Sequence, residues 1–241
     1  MPRIYLPISH IKDNRISITD EKTHHLTSVL RCRKGDELIV FDGKGNCFRT
    51  TILKADRREV IADVIKRFPC DTESHINITL VQGILKGEKM DIIIQKTTEL
   101  GVNEIIPVVT ERSQLRETRK VTRWRKIAEE GSRQSGRSVV PVIREPVEFK
   151  KYFANQKYKF QGFIFFEEDG MKLFEALSSF VSRPSSVSVL IGPEGGFTKE
   201  EITLATEWGL HVISLGKRIL RAETAAISAV TLVQYLLGDL G

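Results

Sequence analysis

Two short apolar runs, at residues 187–191 and 212–215, each end in a glycine-bearing loop, and this pairing restricts the fold more than any other feature of the chain. Apolar runs bounded by turn residues have the pattern of strands buried on both faces, which belong to parallel sheets covered by helices. Sheets of that kind collect ligands at the carboxyl ends of their strands. The first loop, Gly192-Pro193-Glu194-Gly195-Gly196, lets a ligand approach backbone closely, because glycine has no side chain in the way. The second holds Gly216, then Arg221, Glu223 and Thr224 at the start of an apolar helix. Gly-Gly after Pro-Glu is also ordinary turn chemistry. A turn alone, however, has no use for Arg, Glu and Thr crowded into a helix start, and two such loops can wall a small-molecule pocket.

The same rhythm extends upstream. Strands are expected at 76–84, 104–109 and 159–166, with helices at 89–100 and 171–181. Met90, Ile93, Ile94 and Thr97 share one face of the first helix, and Gly101 stops it. Thr198-Lys199-Glu200-Glu201 is a capping box opening a helix that runs to Trp208, and a last helix covers 223–237. Alternating strands and helices predict an α/β domain with a parallel sheet over residues 75–241. The first 70 residues differ. Strand runs at 4–6, 15–18, 37–41, 47–53 and 60–67, with the turn Asp42-Gly43-Lys44-Gly45-Asn46, predict a small β-barrel. One helix is expected there, at 20–30, with Leu26, Val29 and Leu30 on one face. Its adjacent His24 and His25 point in different directions and make a poor metal pair. The polar, proline-containing stretch 69–74 marks the boundary, giving domains 1–70 and 75–241. The last helix is apolar almost all round and must be buried. A second copy of the chain, as a homodimer, or the rest of one subunit can cover it.

Charge adds a second theme. The net charge is +6, and residues 111–137 hold nine basic and four acidic groups. Such a patch is the footprint of a polyanion partner, although a solvated helix face has the same composition. Trp124, Ile127, Ala128 and Gly131 share a helical face there, while Arg123, Lys126, Glu130 and Arg133 turn elsewhere. Gln134-Ser135-Gly136-Arg137 reads as a polar loop, in which arginine can clamp phosphate and Gln or Ser can read base edges. Arg31, Arg33 and Lys34 give the barrel a basic edge as well. Other chemistries are excluded. No phosphate-loop, dinucleotide or nucleophile-elbow motif is present. Cys32, Cys47 and Cys70 are odd in number and scattered, indicating neither a disulfide framework nor a zinc site. Glu167, Glu168, Asp169, Glu194 and Glu223 show no metal-ligand grouping. No stretch approaches the roughly 18 apolar residues of a membrane span, and no signal-peptide core is visible, so the expected location is the cytoplasm.

Several linked motifs then converge. Leu190-Ile-Gly-Pro-Glu-Gly-Gly-Phe197, Leu215-Gly-Lys-Arg-Ile-Leu-Arg-Ala-Glu-Thr-Ala225, Lys96-Thr-Thr-Glu-Leu-Gly-Val102, Glu111-Arg-Ser113 and Gln134-Ser-Gly-Arg137 together resemble the ribosomal small-subunit RNA uracil-N3 methyltransferase (RsmE) family of the SPOUT superfamily. His25-Leu26, Val29-Leu-Arg31, Gly35-Asp36 and Phe41-Asp-Gly43 extend the match over essentially the whole chain. Gly131-Ser132-Arg133 departs from the alanine or glutamate expected before the polar loop. The resemblance implies a PUA-like barrel, a trefoil-knotted methyltransferase domain paired as a dimer, S-adenosylmethionine as cofactor, and a decoding-site uridine of 16S ribosomal RNA in the small subunit as substrate. It further implies a cofactor site from Phe166, Glu167, Leu190, Gly192, Pro193, Glu194, Gly195, Gly196, Leu215, Gly216, Ile219, Leu220, Arg221, Thr224 and Ala225. Arg221 is the candidate cation for the developing oxyanion and Glu223 the weaker candidate base, although Arg221 can pair with Glu194 and Glu223 can simply cap its helix. RNA is expected on Arg31, Arg33, Arg112, Arg123, Arg133, Gln134, Ser135 and Arg137. Two competing functions stay open: an RNA-binding ribosome-assembly factor without catalysis, and a related methyltransferase acting on transfer RNA or a ribose hydroxyl.

Overall fold

The computed structural model describes residues 1–12, 14–168, 170–178 and 183–241. The chain forms two compact units, Met1–Glu73 with Ser132–Val140, and Ser74–Gly131 with Pro141–Gly241.

The first unit contains β1 (Arg3–Tyr5), β2 (Ile11–Lys12), β3 (Arg15–Ile18), α1 (Asp20–His24), β4 (Glu37–Phe41), β5 (Asn46–Ala55) and β6 (Val60–Pro69). They pair in the order β1-β4-β5-β6-β3-β2, parallel at β1–β4 and antiparallel elsewhere. Ile4, Ile16, Leu38, Val40, Ile52 and Val60 meet in one core, so strands from both ends of the order curl round it. The helix expected over 20–30 is α-helical only to His24 and continues as a π-turn over His25–Val29, where the Leu30 amide donates five residues back to the His25 carbonyl. The wider turn changes the angular spacing. Leu26 is buried as expected, but Val29 and Leu30 face solvent.

Two further features were not foreseen. Cys47 and Cys70 form a disulfide, correcting the reading of three unrelated cysteines. The β5–β6 register pairs Cys47 with Phe68, which brings Cys70 into reach, and linear spacing does not reveal that register. Residues 132–140 also join this unit. The Ser138 and Val139 amides donate to Glu73 Oε1 at 2.8 and 3.0 Å, and the Val140 amide donates to the Gly43 carbonyl.

The second unit runs β7 (Asn77–Gly83), α2 (Lys89–Glu99), β8 (Glu104–Val109), α3 (Val121–Ser135), β9 (Val142–Ile143), β10 (Val147–Glu148), α4 (Phe149–Ala154), β11 (Gly162–Phe165), α5 (Leu173–Leu177), β12 (Ser186–Ile191), α6 (Lys199–Glu207), β13 (His211–Ile213) and α7 (Ala222–Leu237), with the last four residues of α3 belonging to the first unit. The strands form the parallel sheet that the sequence predicts, in the order β10-β8-β7-β12-β11-β13, with β9 beside β8. Successive residues alternate between its faces. Val81 and Leu190 pack with Phe149, Phe153 and Ala205 of α4 and α6, while α2 and α7 pack together and α7 also contacts β7 and β12. The capping box forms as expected, Thr198 Oγ1 accepting from the Glu201 amide at 3.2 Å and Glu201 Oε2 accepting from the Thr198 amide at 2.9 Å. Residues 179–181 of the helix expected at 171–181 lie outside the described residues, as does Asp169.

Gly131 packs against Thr98 of α2, where an added Cβ would stand 3.2 Å from the Thr98 methyl. The last helix is covered on one face within its own subunit: Ala226, Ala229, Val230, Val233 and Gln234 are buried. Gln234 is fully satisfied there, donating to the Leu100 carbonyl and accepting from Ser74 Oγ, both at 2.9 Å. The opposite row keeps Leu232 and Tyr235 exposed.

Candidate active site

A cleft of about 320 Å³ opens at the carboxyl ends of β11, β12 and β13. Three segments wall it: residues 165–167 after β11, 191–197 after β12, and 214–225 leading into α7. Among the residues expected to hold a cofactor, the structure gathers Phe166, Glu167, Gly192, Pro193, Glu194, Gly196, Leu215, Gly216, Ile219, Leu220, Arg221 and Ala225 round this cleft. Glu223 lines it as well. Leu190, Gly195 and Thr224 stand outside the lining. Leu190 is buried within β12 between Ile164 and Val81 of the flanking strands, Gly195 faces Arg112, and Thr224 is exposed on α7.

The loop after β12 is tied on every side. Gly196 adopts φ +69°, which favours glycine, and its amide donates to the Pro193 carbonyl at 2.9 Å. Gln82 Nε2 reaches the Gly192 carbonyl at 3.3 Å, Arg112 Nη1 the Gly195 carbonyl at 3.1 Å, and Lys89 Nζ Glu194 Oε1 at 2.9 Å. Burial pushes the Glu194 carboxyl up, but the bond from Lys89, backbone amides including that of Lys86 and the Lys89 charge outweigh it, and the net direction is down. Glu194 therefore pairs with Lys89 and not with Arg221. Phe197 closes the loop by packing on Phe149, ring centroids 5.3 Å apart.

The segment before α7 carries fewer ties. The Ser214 amide donates to the Met171 carbonyl at 3.1 Å, and the Gly216 amide to Ser214 Oγ at 3.3 Å. Ile219 is 84% exposed. Arg218 and Arg221 form no ion pair among the described residues. Glu223 sits in the first turn of α7, and its Oε2 is buried with no hydrogen-bond partner among the described residues.

Sequence reasoning missed Lys89, Arg218 and Ser214 in the lining, and the supports Gln82 and Gly83 behind it. Lys89 and Gln82 stand more than a hundred residues from the loop they hold, so no local motif marks them. Gly83 is set by close approach, since an added Cβ would stand 2.7 Å from Pro193 Cδ.

The residues expected to contact RNA are not all exposed and unpaired. Arg31, at φ +54°, and Arg33 are exposed in the first unit. In the second unit Arg112 is exposed beside the cleft loop, and Arg123 pairs with Asp91 at 2.7 Å. Gln134 and Ser135 are exposed at the end of α3, which takes in the first two residues of the expected 134–137 loop, and Arg133 is half-buried there. Arg137 is a correction: its side chain is only 3% exposed and holds Glu73 at 2.7 Å. Arg125 likewise takes Glu145 at 2.8 Å. Partners outside residues 111–137 thus neutralise part of the charge counted there. No group of metal-binding side chains exists among the described residues, and no helix among them is long and apolar enough to cross a membrane.

Comparison with known proteins agrees with this architecture. The RNA methyltransferase domain family matches residues 72–234, and the RNA methyltransferase PUA domain family matches residues 18–65. A ribosomal RNA small subunit methyltransferase E from Buchnera aphidicola (Schizaphis graminum) is 33% identical, with 100% of this chain and 98% of that protein covered. The chain belongs to the ribosomal RNA small subunit methyltransferase E family. The Bacillus subtilis member is 32% identical over 91% of this chain and 89% of its own length. The crystal structure of the Neisseria gonorrhoeae member, bound to S-adenosyl methionine, superposes with a TM-score of 0.90 at 32% identity and full coverage of both chains. Membership makes the protein an RNA methyltransferase with an N-terminal PUA-like domain and an α/β catalytic domain.

Proposed function

We propose that this protein transfers the methyl group of S-adenosylmethionine to N3 of a decoding-site uridine in 16S ribosomal RNA. The observation that carries the reading is the cleft itself: two glycine-bearing loops meet at strand ends, one already tied in place, and the lining includes Glu223, whose buried Oε2 has no hydrogen-bond partner among the described residues. Its dimensions and chemistry fit an adenosyl group. Gly192 and Gly196 both line the cleft, and neither has room for a side chain: a Cβ on Gly192 would stand 3.2–3.3 Å from Gly196 and Phe197, and one on Gly196 would meet the Glu167 carboxylate. Phe166, Ile191, Leu220 and Ala225 supply apolar walls. The Neisseria gonorrhoeae relative was crystallised with this cofactor.

Bound there, S-adenosylmethionine supplies a methyl already activated by its sulfonium. What remains for the protein is alignment of uracil N3 with that methyl and management of the N3 proton. Glu223 Oε2, lacking any partner, takes the proton in this reading. Arg221, at the N-cap of α7 and in no ion pair among the described residues, stabilises the uracil oxygen that becomes anionic. Arg218 stands on the same rim and helps hold the target nucleotide's phosphate. Arg31, Arg33, Arg112, Gln134 and Ser135 bind the surrounding RNA, with phosphates giving affinity and polar side chains giving selection. The exposed row of Leu232 and Tyr235, with Ile92 exposed on α2, supports a homodimer. A cytoplasmic location and the threaded chain typical of the family belong to the same reading.

The test is transfer of labelled methyl from S-adenosylmethionine to unmodified small ribosomal subunits, followed by nucleoside analysis. Label in 3-methyluridine supports the reading. Label in a ribose or another base overturns the target. Tight RNA binding without transfer would favour an assembly factor.

A further inference from the structure

The end of the parallel sheet opposite the cleft holds a second cavity of about 470 Å³. It lies between the 155–161 loop, which leaves α4, and the first residues of β12 and β7. β12 runs from Ser186 to Ile191, so at about 3.3 Å per residue the two openings stand roughly 15–20 Å apart along the strand.

The loop presents one aromatic ring outward. Tyr158 is 83% exposed. Lys157 and Lys159 flank it, both exposed and neither in an ion pair among the described residues. The loop is fixed at both ends. The Gln156 amide donates to the Phe153 carbonyl at 2.9 Å, the Phe160 amide to the Trp208 carbonyl at 2.8 Å, and the Ser188 amide to the Gln161 carbonyl at 3.0 Å. Phe160 also stacks on buried Tyr152, centroids 5.4 Å apart. Tyr158 is therefore carried on an anchored support. Asn155, Gln156 and Gln161 line the cavity beside it, the Gln156 amide group donating to the Tyr152 carbonyl at 3.2 Å.

We propose that this end of the sheet binds an unpaired stretch of the RNA substrate. One base stacks on Tyr158, Lys157 and Lys159 hold the flanking phosphates, and a neighbouring base edge enters the amide-lined cavity. Exposed aromatics interleaved with cations are how proteins hold single strands, because every base has a face to stack and every nucleotide a phosphate. An acidic protein surface would engage the lysines and leave the ring and the amides without a role. The inference rests on the RNA methyltransferase reading, and it extends substrate contact well beyond the cleft.

The test uses the full-length protein and a fluorescein-labelled 12-nucleotide single-stranded RNA, read by fluorescence anisotropy over a salt series. Tyr158→Ala is expected to weaken binding about tenfold, and Tyr158→Phe to restore it. Lys157→Gln with Lys159→Gln is expected to flatten the log Kd against log salt slope by about 1.4. Cofactor affinity, measured by calorimetry, and Tm are expected to stay unchanged, since all three side chains are exposed. Equal RNA affinity in wild type and Tyr158→Ala would overturn the proposal. So would equal loss with inorganic polyphosphate as the probe, which would reduce the site to charge alone. If the protein methylates ribosomal RNA but the variants keep wild-type binding and KM, this inference fails and the proposed function stands. If no RNA is methylated but binding still depends on Tyr158, the proposed function fails and this site stands.

Discussion

The loop after β12 and the segment after β13 wall the same cleft, but they are held very differently. Residues 192–197 are gripped by Gln82, Lys89 and Arg112 and end in the buried Phe197. Residues 214–221 are tied mainly through Ser214, and leave Ile219, Arg218 and Arg221 exposed. A preorganised wall lowers the ordering cost of binding, whereas a sparsely tied one pays that cost when the ligand arrives. The first loop is thus suited to setting where a cofactor sits, and the second to closing over it and carrying the groups that act on the substrate. Separating those two jobs experimentally is the way to sharpen or break the comparison.

The largest effect is expected from Arg221→Ala. Loss of a charge aimed at the developing oxyanion should lower kcat about 10²- to 10³-fold. Apo Tm should hardly move, because Arg221 makes no ion pair among the described residues, and cofactor Kd should change much less than kcat. Single-turnover methyl transfer alongside calorimetry reads both. An equal loss of cofactor affinity would show that the second segment also sets the cofactor's position, and the division of labour would fall.

Gly83→Ala attacks the first loop from behind. The new Cβ would stand 2.7 Å from Pro193 Cδ and 2.8 Å from the Gly192 carbonyl carbon, and backbone cannot swing away as a side chain can. Overpacking of this kind costs ~1–3 kcal/mol, a fall in Tm of about 2–12 °C for a chain of this length. Cofactor binding should weaken about tenfold as the loop shifts. Unchanged Tm and Kd would mean that the loop is not rigid.

Ile219→Ser addresses the second segment. In the apo protein an exposed side chain contributes within about 0.5 kcal/mol, so Tm should stay put. Closure over the cofactor would bury part of the side chain, and losing that burial should raise Kd about fivefold. A lower apo Tm would show the segment already packed, contrary to its 84% exposure at this position.

This contrast was half legible in the sequence. Both glycine loops, the parallel sheet and the Thr198 capping box follow from local patterns, because apolar runs, glycines and Thr-x-x-Glu act within a few residues. The grip on the first loop was not legible. Gln82, Gly83 and Lys89 act across the sheet, and β7 lies beside β12 only through the strand order. The same limit explains Arg137. In a basic run it looks like an RNA contact, yet its partner Glu73 lies 64 positions away. The Cys47–Cys70 bond and the π-turn at His25 were hidden for related reasons, one set by strand register and the other by how a helix end winds.

The smallest effect is expected from Glu194→Gln, and its pH dependence makes it specific. Glu194 is lowered on balance, the bond from Lys89 outweighing burial. A carboxyl lowered in the folded state adds stability that is present above its ordinary value, about 4.3, and is lost as pH falls through the lower folded value. The pair is partly exposed, with side chains 36% and 23% accessible, so the gain is at most ~1 kcal/mol. At neutral pH the variant should melt at most about 2–4 °C lower than wild type. The difference should hold down to about pH 4.5 and close below it. Because glutamine still accepts from the Lys86 amide, the loop keeps its path and cofactor Kd should change less than twofold. A difference that persists unchanged at pH 3 would mean that shape and not charge secures Glu194, and the grip on the first loop would then rest on Gln82 and Arg112.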